Sequence, residues 1–203
     1  MTTTTTSEPT PGAAKDLQFE ASPQNLQQSP TAVAAVATPS GSLLDFFCEE
    51  LKEMYWTEQH LLQVLPILSK ATHSEALKIA LNEHLFQTEL HVNRLQEIFA
   101  LLQIEAEAKK SRGIEGITKE MLETVEQIGV IGALSDVAII MGTQKAEHYE
   151  ISGYGSLKQL SITLQKNEIA DILALTLAEE KAADELLTEL ATRHSNEEAQ
   201  VQS

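Results

Sequence analysis

The stretch VAIIMGTQKAEHYEISGYGSLKQL, residues 137–160, decides the fold. Its apolar side chains Val137, Ile140, Ile151, Leu157 and Leu160 recur at three- and four-residue spacing, the period of an α-helix that buries one stripe. Extending that period outward gives a helix from about Gly132 to Leu164. The inward line is not purely apolar. It runs Ile140, Gln144, Glu147, Ile151, Tyr154, with a carboxylate near mid-length.

The same period appears three more times. An upstream helix places Leu44, Phe47, Leu51, Met54, Leu61, Leu62, Leu65 and Leu68 on one face, with Ser42 and Asp45 as a capping pair and a kink or break expected near Pro66. A second helix, opened by Thr72 with Glu75, buries Leu77, Leu81, Leu85, Val92, Leu95 and Phe99. A last one, capped by Asn167, uses Ile169, Leu173, Leu177, Leu187 and Leu190. Between the second and third helices, Glu105 to Gly116 reads as a polar connection and Lys119 to Ile128 as a short extra helix. No strand pattern is found. The expectation is an all-α four-helix bundle with a long crossover between its second and third helices, carrying that short extra helix.

Composition narrows the possibilities further. The chain has 203 residues, 30 acidic against 14 basic, and a formal charge of −16. Such a balance repels phosphates, so neither nucleic acid nor an anionic membrane surface is expected as a partner. One cysteine, Cys48, excludes a disulfide framework and reads as a small hydrophobe. Residues 1–41 hold five of the six prolines and the run Thr2 to Thr6, a low-complexity tail expected to be disordered. Residues 42–194 form the bundle and 195–203 a polar tail. With no signal-like start and no apolar run of about 18 residues, a cytoplasmic protein is expected.

The chemistry lies in what interrupts the stripes. Glu58 falls at the centre of the first helix face, Glu147 on the third and Glu180 on the fourth, while the second places His84, Thr88 and His91 on its inward line. An unpaired buried carboxylate costs several kcal/mol, on the order of the desolvation of one ion, and three together repel one another. A divalent cation removes both penalties. Bundle di-iron and di-manganese centres are built in this way from Glu and His. Glu150 and Asp184, one turn from Glu147 and Glu180, and Gln87, three residues after His84, are neighbouring candidates. Taken singly, His84 and His91 read as hydrogen-bonded core or edge histidines. His148 reads as a helix–helix or dimer contact, His60, His73 and His194 as surface residues, and Tyr154 as a core aromatic with a tethered hydroxyl.

The segments Tyr55 to Leu62, His84 to Thr88, Gln144 to Ile151 and Glu179 to Asp184 resemble the YciE/YciF family of ferritin-like bacterial stress proteins, over roughly Leu43 to Ala191. The resemblance implies a rubrerythrin-related bundle, a homodimer, and an iron or manganese site at Glu58, Glu147, Glu150, Glu180, His84 and Asp184. Where the family usually has Glu this chain has Gln87, which ligates only through an uncharged carbonyl. Two readings follow: a metal-binding stress protein with oxygen or peroxide redox chemistry, or a non-enzymatic dimeric bundle with a degenerate site, acting in structure or interaction.

Overall fold

In a computed structural model of the chain, residues 41–201 are described, without the side chains of 194–198. The tail read over residues 1–40 and the surface reading of His194 lie outside the described residues.

Four helices carry the core: α1, Leu43–Ala71; α2, Glu75–Leu101; α4, Ala133–Thr163; and α5, Asn167–Leu190. A shorter helix, α3, Arg112–Ile128, lies in the crossover and packs on α4 and α1. A π-helical turn, Ala191–Ser195, and a final helix, α6, Asn196–Val201, follow α5. Among the described residues there is no strand.

The direction of each helix follows from which half of it joins which apolar cluster. One cluster unites Leu61, Leu65 and Leu68 of α1 with Leu77 and Leu81 of α2, Ile139 and Ile140 of α4, and Leu187 of α5. The other unites Phe47 and Leu51 of α1 with Leu95 and Phe99 of α2, Tyr154 and Leu157 of α4, and Ile169 and Leu173 of α5. Thus α1 and α5 run one way and α2 and α4 the other, so the α2–α4 crossover must span the bundle's length. Its first part is strapped to α1: the Lys109 N–H donates to the Lys52 carbonyl at 3.0 Å and Lys109 Nζ lies 3.0 Å from Glu53 Oε1.

Boundaries differ from the sequence expectation in four places. Helix α1 continues past Pro66 without a break. Thr72 does not open α2: its hydroxyl turns back to the Leu68 carbonyl at 2.8 Å, and Ser74 is the cap instead, its Oγ accepting from the Leu77 N–H at 3.4 Å. The buried Asp136, in the first turn of α4, completes that cap by accepting from the His73 and Ser74 N–H groups, each at 2.8 Å. Helix α5 starts at Asn167 itself, with Lys166 in the cap position and no side-chain cap bond. Finally, α3 begins at Arg112 rather than Lys119, because Ile114, Thr118 and Met121 form a buried row at helical spacing against α4. That packing is close: a Cβ built on Gly142 would lie 2.3 Å from Met121 Cγ.

Candidate metal centre

Between the two apolar clusters lies a polar layer. Each helix enters it where its stripe changes character: α1 with Glu58 between Tyr55 and Leu61, and α2 with His84 and His91 between Leu81 and Leu95. Helix α4 supplies Glu147 and Glu150, and α5 supplies Glu180. Glu58, His91, Glu150 and Glu180 are 0% exposed, Glu147 1% and His84 6%. Two groups of donor atoms, each within 4.8 Å of one another, form here: His84, Glu147, Glu150 and Glu180, and Glu58, His91 and Glu180. Glu180 is common to both.

The contacts within the layer are electrostatic rather than hydrogen-bonded. His84 Nε2 lies 3.2 Å from Glu147 Oε1, and His91 Nδ1 lies 2.9 Å from Glu180 Oε1 and 3.5 Å from Glu58 Oε1. Yet His84 Nδ1, His91 Nδ1, Glu58 Oε2 and both oxygens of Glu147, Glu150 and Glu180 have no hydrogen-bond partner. Glu58 Oε1 accepts a short hydrogen bond from the Tyr154 hydroxyl. Buried polar atoms are otherwise nearly always paired, so this concentration calls for a physical cause.

Charge states follow from the environment. Burial drives the Glu147 and Glu150 carboxyls well above the usual range, with the Glu180 charge adding to it. Burial raises Glu58 as well, against the pull of His91. Burial alone would also raise Glu180, but His91 and His84 hold it low. Burial works against the His91 imidazolium, yet Glu180 and Glu58 push it up to about 10. Burial shifts His84 toward the neutral imidazole. One imidazolium therefore faces four carboxylates, and protons supply the remaining compensation. A cation offered to this donor set replaces those protons with a counter-charge, and oxygen with imidazole nitrogen suits a first-row transition ion. The donor set fits such an ion.

Of the seven candidates named from sequence, the structure brings together Glu58, His84, Glu147, Glu150 and Glu180. Asp184 lies outside these groups, and Gln87 stands beside His84 at their edge. Gln87 is half-buried at the edge of α2, where it lines a cavity of about 130 Å³ beside His84 and Glu147 with Ala80, Ala182 and Leu186. Asp184 sits at the partly exposed margin of α5, 3.3 Å from Gln144 Nε2 and 3.4 Å from His148 Nδ1. Its place one turn beyond Glu180 carries it outward past the layer. The residue missed is His91. It stands on the inward line seven residues after His84, and only its partners on α1 and α5 reveal its part in the layer. His60 is not a plain surface residue either: half-buried, it stacks on Trp56 with ring centroids 4.7 Å apart, and its Nε2 lies 2.8 Å from Thr118 Oγ1.

A bundle of this direction, with a full-length crossover and a carboxylate–imidazole layer in its core, is a ferritin-like four-helix protein. The chain belongs to the family described as a domain of unknown function, DUF892, whose pattern matches residues 42–200. It is 34% identical over 157 residues to Protein YciF of Escherichia coli K12, covering 77% of this chain and 94% of that protein. The crystal structure of the E. coli stress protein YciF matches with a TM-score of 0.73 at 33% identity, over 77% of this chain and 98% of that one. YcfI from Rhodopseudomonas palustris matches with a TM-score of 0.71 at 31% identity, over 72% and 93% of the two chains. A protein from Xanthomonas campestris pv. campestris, 17% identical, shares the fold with a TM-score of 0.62 over 80% of this chain and 99% of that chain. No helix among the described residues is long and apolar enough to cross a membrane.

Proposed function

We propose that the protein binds one or two iron or manganese ions in the polar layer and serves in a stress response, as the description of its relative YciF as a stress protein supports. The single observation that carries the metal reading is the set of buried donor atoms on four helices that have no hydrogen-bond partner and surround Glu180. Glu58, His84, His91, Glu147, Glu150 and Glu180 would hold the ions. When bound, such ions supply one-electron exchange with oxygen or peroxide. The chain's own contribution is to fix the donors, exclude water between two apolar clusters, and leave a small cavity reaching His84 and Glu147.

Metal content after purification without chelator, with an anaerobic Fe(II) titration, tests this. A ligand at 100 times its Kd stabilises the fold by about 2.7 kcal/mol. We expect bound metal, and a metal-dependent rise in Tm that the double variant Glu58→Gln, Glu180→Gln lacks. No bound iron, manganese or zinc, no uptake on titration and an unchanged or raised Tm in that variant would sink the metal reading and leave a structural bundle. A homodimer is the second part of the proposal, supported by the exposed apolar side chains Ile79, Phe86, Leu175 and Leu186 on α2 and α5.

A further inference from the structure

The two imidazoles of α2 are held in different ways. His91 Nε2 lies 2.8 Å from Glu179 Oε2, on the outer side of the layer. Glu179 in turn receives the Arg94 guanidinium at both oxygens, Nη2 to Oε1 at 2.9 Å and Nη1 to Oε2, while Arg94 Nη1 also donates to Thr176 Oγ1 at 3.2 Å. Two-point pairing with a guanidinium fixes a carboxylate in position and orientation. A carboxylate so fixed holds the ring that donates to it and decides which nitrogen points elsewhere. Here that nitrogen is Nδ1, fully buried, without a hydrogen-bond partner, and directed at Glu180 and Glu58. Glu179 and Glu180 are consecutive residues, so α5 grips the ring from both sides.

Resting on the metal reading above, in which Glu58, His91 and Glu180 make a second metal subsite beside that of His84, Glu147 and Glu150, we infer that Glu179 and Arg94 are positioning residues that aim His91 Nδ1 into it. The first subsite has His84 as its nitrogen donor and the second has His91. One imidazole in each favours iron, cobalt or zinc over magnesium and calcium, whose ligands are oxygens.

Anaerobic Co(II) titration, followed by visible absorption and by proton NMR of hyperfine-shifted imidazole N–H signals, separates the parts. Wild type is expected to bind two ions and to show two exchangeable imidazole signals. Glu179→Ala and Arg94→Met should each weaken the second ion by roughly 10- to 100-fold and displace or abolish one signal. Neither should alter binding of the first ion. Glu179→Gln, whose amide oxygen still accepts from Nε2–H, should fall between. Tm in chelator identifies any variant that fails to fold, in which case the other carries the test. Wild type that binds cobalt, with unchanged second affinity and both signals intact in the folded variants, overturns the inference alone, as does uptake of a single ion with one imidazole signal. Wild type that takes up no cobalt overturns the metal reading itself.

Discussion

Tyr154 of α4 donates its phenolic hydrogen to Glu58 of α1 across the middle of the bundle, with neither side chain in reach of water. This bond ties the polar layer to the apolar cluster of which Tyr154 is a member. Removing the hydroxyl strands Glu58 Oε1, when Oε2 already has no partner. Tyr154→Phe should therefore destabilise the metal-free protein by about 1–3 kcal/mol, the usual penalty for a buried acceptor left unsatisfied. Urea unfolding measures it, with an unchanged m-value expected. A variant as stable as wild type would mean the bond contributes nothing.

The metal-free protein should lose stability as pH rises. Glu147 and Glu150 titrate well above their ordinary 4.5 when folded, so above that pH the folded chain holds protons that the unfolded chain has released. His91 acts in the same direction: its contribution is complete below its ordinary 6.5 and is lost as pH rises toward about 10. Each kcal/mol lost lowers Tm by roughly 2–4 °C for a domain of this size. Because the lowered value of His84 acts the other way near its ordinary 6.5, Tm in EDTA should fall between pH 7 and pH 9, while the gain from added metal should grow over the same range because protons compete for the donors. A flat or rising Tm in EDTA over that range contradicts the charge assignment.

Much of this layout is legible in the amino-acid sequence. The four long helices follow from the three-and-four spacing of leucines, because burying one stripe is the main source of helical stability in a folded chain. Glu58, Glu147 and Glu180 were visible as misfits in that spacing. What escaped was set by tertiary contacts. The start of α3 contains Gly113 and Gly116 and so has weak helical preference, yet Ile114 and Met121 bury against α4 and carry the helix back to Arg112. His91 looks like an ordinary core histidine in the sequence because its partners lie on other helices, Glu58 on α1 and Glu179 and Glu180 on α5. Asp184 is placed from sequence by its distance along one helix, which fixes a face but not the depth at which neighbouring helices close over it.

Asp136 should matter more than a first-turn acid on its own helix. It satisfies two backbone N–H groups at the start of α2 and places negative charge at that helix's N-terminus. Asp136→Ala should lower stability by about 1–3 kcal/mol. Asp136→Asn, which keeps one acceptor, should lose less. Thermal melts of both test this cap: if the two N–H bonds contribute nothing, the two variants match wild type.

The exposed apolar side chains of α2 and α5 supply a test of assembly. Phe86 is 60% exposed and Leu175 58%, an arrangement that a second copy would cover. Phe86→Glu is expected to convert a dimer to a monomer in light scattering, with monomer stability changed by no more than about 0.5 kcal/mol, as for other exposed sites. If wild type is already monomeric, or the variant remains dimeric, those side chains do not form the interface.

The division of the core into two apolar clusters has a consequence for how the molecule opens. Among partly buried hydrophobic side chains, Tyr149 packs against both clusters; otherwise the polar layer lies between them. With the layer short of counter-charge, little free energy links one end of the bundle to the other, and each end becomes a separate unit of opening in hydrogen exchange. An ion held by α1, α2, α4 and α5 at once would merge those units, so that amides at both ends exchange only through global unfolding. The layer would then act as the switch between a chain that breathes in halves and one that unfolds as a whole.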